Sequence, residues 1–190
     1  MKIIGITGLA GSGKSTIASL LKEKGYPIID LDKLGHKALF EKDIKEKLVK
    51  KFGDKILENN EIQRSKLAQI VFTNKKNLDY LNSVVHPKIK EFVSELIEKY
   101  KKDKYEYVII DGALIDQIGL NEICDIILLV EASDKERFKR LTEFRKMDPE
   151  KAKNIINAQK SLKLNYHYKI NTEKELNAIK DELFQILKIF

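Results

Sequence analysis

The sequence predicts an α/β protein in which a five-stranded parallel sheet is covered by helices on both faces. Three observations carry that expectation. Short apolar runs alternate with stretches of helical spacing, as parallel strands joined by crossover helices must. The first run, residues 2–7, ends in a glycine-rich turn and passes into a helical pattern through Ile17, Leu20 and Leu21. Two further runs, 107–110 and 126–130, are bounded by polar turn residues, the pattern of strands buried in mid-sheet.

The elements follow in order. Residues 2–7 form the first strand and 16–23 the first helix. Gly25 stops that helix, Pro27 enters a short second strand at Ile28 and Ile29, and Asp30-Leu31-Asp32 closes it. No strand is expected from 33 to 104. Amphipathic pieces near 33–51, 64–82 and 88–102 read as helices, divided by a loop at 52–60, and Pro87 suits the first turn of the last of them. After the strands at 107–110 and 126–130 come helices at 133–145 and 149–163, a strand at 166–170 and a terminal helix from about Thr172. Right-handed crossovers then place helices on both faces. Without a repeat, a low-complexity tract or a linker, residues 1–190 read as one domain.

With 43% hydrophobic and 34% charged residues, the composition is that of an ordinary folded globular chain. Its apolar runs fall far short of the roughly 20 residues that span a bilayer. The apolar start is read as a buried strand rather than a targeting signal, because Gly13-Lys14-Ser15 follows so closely. A lone cysteine, Cys124, has no intrachain disulfide partner and precedes an apolar strand. It is read as packing in a reducing, cytoplasmic compartment. The net charge of +7 is spread among acidic residues, as in the stretch 41–47, and no basic block carries interleaved aromatics. Charge alone does not choose among nucleic acid, a membrane surface and a polyanionic small molecule; the lysines read first as solvated helix faces, with phosphate ligands a natural use for the excess. The expected partner is a small-molecule substrate, with no nucleic acid and no membrane, and the expected assembly is a monomer or weak homo-oligomer.

The strongest chemical signal is Gly8-Leu9-Ala10-Gly11-Ser12-Gly13-Lys14-Ser15, a match to G-x-x-x-x-G-K-[ST] lying between a predicted strand and helix. By chance the pattern occurs in about one chain of this length in 150, so a merely flexible turn is the weaker reading. Such a loop turns backbone N–H groups around phosphates, with the positive end of the following helix beneath them. Gly11, Ser12, Gly13, Lys14, Ser15 and Thr16 are accordingly candidate ATP-binding residues. Lys14 reaches the β- and γ-phosphates, and Ser15 offers its hydroxyl to Mg²⁺.

Asp30 and Asp32 stand two apart where the second strand ends, so an extended backbone would point both carboxylates to the same side. Asp30 reads equally as an N-cap of the next helix or as a site residue. Asp32 is read as the group that orients a hydroxyl acceptor and takes its proton. Asp111, ending an apolar strand, has the form of a carboxylate supporting Mg²⁺, and also of a turn starter. Arg137, Arg140 and Arg145 lie on or just after one helix, where two of them are placed to cover transferring phosphates. There is no Cys/His spacing for zinc and no hydrolase triad.

Taken together, the chain resembles the dephospho-CoA kinase family over nearly its whole length. The opening block from Gly5 to Thr16 is similar to that family's P-loop, and Asp30-Leu31-Asp32 to its Asp-Ala-Asp motif. Gln63-Arg64-Ser65-Lys66-Leu67, the stretch from Leu81 through His86-Pro87 to Ile89, Gln159 and Asn171 extend the resemblance. It implies a P-loop kinase fold with an inserted helical acceptor-binding lobe at about 40–104 and a lid at about 137–163. It further implies Mg²⁺-dependent transfer of the ATP γ-phosphoryl to the 3′-hydroxyl of dephospho-CoA, with Asp32 as base. Asp30, Arg64 and His86 would bind the acceptor, Arg140 would be catalytic, and Arg145 would sit at the nucleotide. The chain departs from the family pattern at Gly35-His36, at Ala113 to Gln117 and at Phe144, and the stretch between Gln159 and Asn171 is several residues short. The rival readings are a nucleoside or nucleoside-monophosphate kinase, and an ATP-binding regulator without turnover.

Overall fold

The structure, a computed structural model, describes residues 1–160, 162 and 164–189. Strand β1 (Lys2–Thr7) leads through the glycine-rich loop to helix α1 (Lys14–Glu23) and strand β2 (Ile28–Asp30). Helices α2 (Leu31–Ala38) and α3 (Lys42–Phe52), a hairpin of β3 (Leu57–Glu58) and β4 (Glu61–Ile62), and helices α4 (Arg64–Val71) and α5 (Lys75–Lys102) follow. Then come β5 (Tyr107–Asp111), the short helix α6 (Ile115–Ile118), β6 (Ile126–Glu131) and α7 (Asp134–Lys139). A π-helical turn over Arg140–Phe144, helix α8 (Pro149–Gln159), β7 (Tyr168–Asn171) and α9 (Leu176–Ile189) complete the order. The chain divides into two compact units, one of Met1–Ile29 with the chain from Tyr100 onward, the other of Asp30–Lys99.

The first unit is built on a parallel sheet in the order β2-β5-β1-β6-β7, with Ile4 registered against both Ile109 and Ile126. Continuous apolar strands suit this position, because both faces of the sheet are covered. On one face Ile4, Ile6, Ile109 and Leu128 pack with Ile17 and Leu21 of α1 and with Ile179 and Leu183 of α9. Burying each such side chain contributes about 1.5–3 kcal/mol. On the other face, a Cβ added at Gly5 would meet the side chains of Ile115 and Cys124 at 3.1 and 3.2 Å. Burial, with the charges of Asp125 and Asp116 adding to it, pushes the Cys124 thiol up to about 12, so it packs as a neutral group.

In the second unit, α5 is flanked by α2 and α3. Lys37 of α2 lies 4.0 Å from the Phe92 ring centroid, and Phe52 of α3 meets Tyr80 edge-on at 5.8 Å. The expected helix at 33–51 is two helices, parted where Leu39, Phe40 and Glu41 leave the α2 spiral. The expected helix at 64–82 breaks before Asn74, whose Oδ1 accepts the Lys76 N–H and so opens α5. From there α5 runs unbroken to Lys102, so Pro87 is interior to a helix and does not open one. A proline costs about 3 kcal/mol there, which the buried face of Val85, Ile89, Phe92 and Val93 offsets. The loop expected at 52–60 also contains the start of a hairpin, turning on Asn59 and Asn60 at φ 49° and 62°, values asparagine tolerates. Strands of two residues are too short to show an alternating pattern. In the first unit, α8 ends at Gln159, β7 runs from Tyr168 to Asn171, and α9 begins at Leu176 rather than Thr172.

Candidate active site

The glycine-rich loop follows the carboxyl end of β1, where ligands sit in open parallel sheets. Gly11 and Gly13 hold φ of +79° and +92°, which disfavours any side chain. Space forbids one as well. A Cβ at Gly11 would stand 2.8 Å from the Arg137 carbonyl oxygen, and one at Gly13 would stand 2.9 Å from Thr172 Oγ1. The Ser12 N–H donates to Leu9 O at 3.0 Å, closing the turn, and Ser12 itself is buried with its hydroxyl unpartnered. Gly13 is the N-cap of α1, and Ser15 and Thr16 stand exposed on its first turn. First-turn N–H groups have no intrahelical acceptor, so this end of the helix offers donors and positive potential together.

Lys14, the first residue of α1, donates to Asp111 Oδ1 at the end of β5. Both side chains are less than one fifth exposed, at 18% and 14%. Asp111 is thus drawn into the loop by the lysine itself, a contact that sequence spacing did not foresee.

The three arginines take different roles. Arg137 is 3% exposed and gives its guanidinium to Ala10 O, Asp134 and Gln159. Arg140 donates from Nε to Glu136 at 2.9 Å, from Nη1 to Gly11 O at 3.3 Å and Thr172 Oγ1 at 2.7 Å, and from Nη2 to Thr172 O at 2.8 Å. The cation expected on a mobile lid is therefore a cation fixed against the loop, because one i,i+4 carboxylate and one threonine occupy its fork. Arg145 follows the π-helical turn and is exposed, its N–H reaching back to Arg140 O at 3.2 Å.

Thr172 was missed by sequence reasoning. It is 8% exposed, and its hydroxyl donates to Ser12 O at 2.6 Å while accepting from Arg140. Its one sequence signal was its place just after the last strand, beside the singled-out Asn171. Glu173 next to it accepts the Ser133 N–H, which holds its carboxyl below the usual range.

The second unit carries the other candidates. The Asp30 carboxylate accepts the Lys33 N–H at 3.0 Å and caps α2. Because β2 ends at Asp30, Asp32 lies on the first turn of α2, exposed, and not on an extended strand beside it. The alternation expected to aim both carboxylates the same way is replaced by a strand-to-helix turn. Arg64 is the first residue of α4, beside a cleft of about 290 Å³ that His36, Phe40, Glu58 and Gln63 also line. His86 is half-buried within α5.

Residues 2–167 match the model of the family described as CoaE, dephospho-CoA kinase. A dephospho-CoA kinase of Fusobacterium nucleatum is 41% identical over 160 residues, covering 84% of this chain and 81% of its own. The crystal structure of TT1252 from Thermus thermophilus superposes with a TM-score of 0.80 at 27% identity, covering 100% of this chain and 97% of that one. A dephospho-CoA kinase from Campylobacter jejuni shares the fold, with a TM-score of 0.61 at 21% identity over 98% of this chain and 96% of that one.

Proposed function

We propose, for a chain that belongs to the dephospho-CoA kinase family, that it transfers the γ-phosphoryl of ATP to the 3′-hydroxyl of dephospho-CoA, giving CoA and ADP. The observation that carries this reading is the family match across residues 2–167, with a complete phosphate loop inside it. The chain is a phosphotransferase of the P-loop type. The loop N–H groups and Lys14 take the phosphates, and Asp32 aligns the hydroxyl and accepts its proton as transfer proceeds. Asp30, Arg64 and His86 hold the acceptor, and the reaction belongs in the cytoplasm.

The residues present fit Mg²⁺. Among the described residues no group of three or more His, Cys, Asp or Glu side chains forms a metal cage. Mg²⁺ in phosphoryl transfer needs none, since it is bound by one or two protein ligands together with substrate phosphates. The exposed Ser15 hydroxyl and the carboxylate of Asp111 are suited to that duty. Held by these two residues, Mg²⁺ would supply neutralising charge for the phosphates during transfer. Catalysis of this kind is mostly positioning and charge stabilisation, which supports the reading of Arg140 beside the loop and Arg145 on a lid at about 137–163.

Arg140→Ala removes the donors to Gly11 and Thr172 and is expected to lower turnover roughly 10- to 100-fold. Arg145→Ala is expected to lower turnover with no change in Tm, its side chain being exposed. Steady-state kinetics with thermal unfolding checks both, and near-normal turnover in the two variants removes these arginines from the transferring phosphates. The functional proposal itself is tested by ADP release from Mg-ATP against dephospho-CoA, adenosine, AMP, CMP and uridine. Dephospho-CoA is expected to be the best acceptor by kcat/KM. A nucleoside or nucleotide phosphorylated faster overturns it, and Mg-ATP binding without transfer to any of them makes the chain a regulator.

A further inference from the structure

Ala10, at the crown of the phosphate loop, has both of its backbone polar groups held by side chains from outside the loop. Its carbonyl accepts Arg137 Nε at 2.9 Å, and its N–H donates to Gln159 Oε1 at 3.1 Å. The same Gln159 oxygen accepts Arg137 Nη2 at 2.7 Å, closing a ring of hydrogen bonds through Ala10, Arg137 and Gln159. Asp134 completes the arginine's fork at 2.8 Å. Arg137 is 3% exposed and committed on all three nitrogens. Gln159 is the last residue of α8, so the far end of that helix is tied to the loop by one oxygen.

The Ala10 N–H belongs to the Leu9–Ala10 peptide and its carbonyl to the Ala10–Gly11 peptide, so the two bonds fix the planes on either side of the Ala10 Cα. The second of these peptides leads into Gly11, whose φ of +79° starts the inward turn of the following N–H groups. A backbone free to rotate at Ala10 would have to be ordered each time a phosphate arrives, and that ordering lowers affinity. We propose that Arg137 and Gln159 are positioning residues for nucleotide binding: together they hold the two peptides that flank the Ala10 Cα, and so preset the phosphate loop, coupled to each other through the acceptor Gln159 Oε1. This deepens the phosphoryl-transfer reading of the same loop and rests on its being a nucleotide site. It does not depend on which acceptor is phosphorylated.

The use of one oxygen for two donors makes the role separable from packing. Gln159→Glu keeps an acceptor at that place, and Gln159→Met keeps the volume without it. The probe is Mg-ATP, titrated by calorimetry without acceptor, with thermal unfolding of each variant alongside. Gln159→Met is expected to bind Mg-ATP about five- to tenfold more weakly, through the loss of the two hydrogen bonds this oxygen accepts, one of them from a charged donor. Gln159→Glu is expected to bind within about twofold of the wild type, the added carboxylate pairing with Arg137. In turnover assays the Met variant should raise KM for ATP while leaving KM for dephospho-CoA unchanged. Equal affinity in all three proteins overturns the inference. Equal weakening by Glu and Met, in step with a lower Tm, overturns it too, since the residue would then only pack the end of α8. Absence of transfer to dephospho-CoA by the wild type would sink the functional proposal and leave the binding comparison standing.

Discussion

Asp32→Asn is expected to cut single-turnover transfer to dephospho-CoA by roughly 10²- to 10⁴-fold, the range a positioned general base supplies. Asparagine keeps the shape of the side chain and loses the proton acceptor. Affinity for Mg-ATP should stay near normal, because the triphosphate is proposed to be held by the loop from Gly8 to Ser15 and not by this carboxylate. The fold should tolerate the change. Asp32 is exposed on the first turn of α2, where a carboxylate contributes at most about 1 kcal/mol through the helix dipole. Asp30→Asn is the control, since Asp30 caps α2 through the Lys33 N–H and asparagine caps a helix about as well. The check is rapid-quench measurement of both variants with Mg-ATP binding followed separately. A dead Asp30→Asn beside a working Asp32→Asn would place the base on the wrong carboxylate.

Lys14→Ala is expected to abolish measurable turnover and to weaken Mg-ATP binding. In the proposed reaction the ammonium is the point charge the loop itself brings to the β- and γ-phosphates, and a low-dielectric site makes such a charge worth far more than in water. The structure adds a cost. Lys14 is also a partner of Asp111, and both side chains are less than one fifth exposed, so the variant removes a cation from a mostly buried carboxylate. A stability loss of about 1–3 kcal/mol is expected with it. Lys14→Ala/Asp111→Asn should recover most of that stability and none of the turnover, as read by denaturant unfolding and by ADP release. Turnover and ATP affinity unchanged in Lys14→Ala would remove the loop from the mechanism.

The parallel sheet was legible because its strands are apolar runs closed by polar turns, a pattern that burial on both faces imposes. The phosphate loop was legible because positive φ and close approach at Gly11 and Gly13 admit only glycine. What escaped depended on distance in the chain. Thr172 lies 160 residues from Ser12, and nothing local marks their 2.6 Å hydrogen bond. Arg137 and Arg140 look alike in sequence, and only packing makes one a buried brace for Ala10 and the other a partner of Thr172. The second unit was read less well. The breaks at 39–41 and 72–74 leave helical spacing nearly undisturbed, and Pro87 carries a helix-start signal that the packing of α5 overrides. Asp32 was foreseen as a candidate from its chemistry, while the strand geometry that seemed to aim it was not the geometry the chain adopts.

The proposed reaction adds phosphate to the 3′-hydroxyl of dephospho-CoA. Its most direct test is phosphorus NMR with mass determination of the product formed by the wild-type protein from Mg-ATP and dephospho-CoA. One new phosphomonoester on the ribose 3′-oxygen is expected, in a product identical to CoA, with one ADP for each molecule formed. Phosphate on another oxygen, or ADP formed with dephospho-CoA left unchanged, would contradict it.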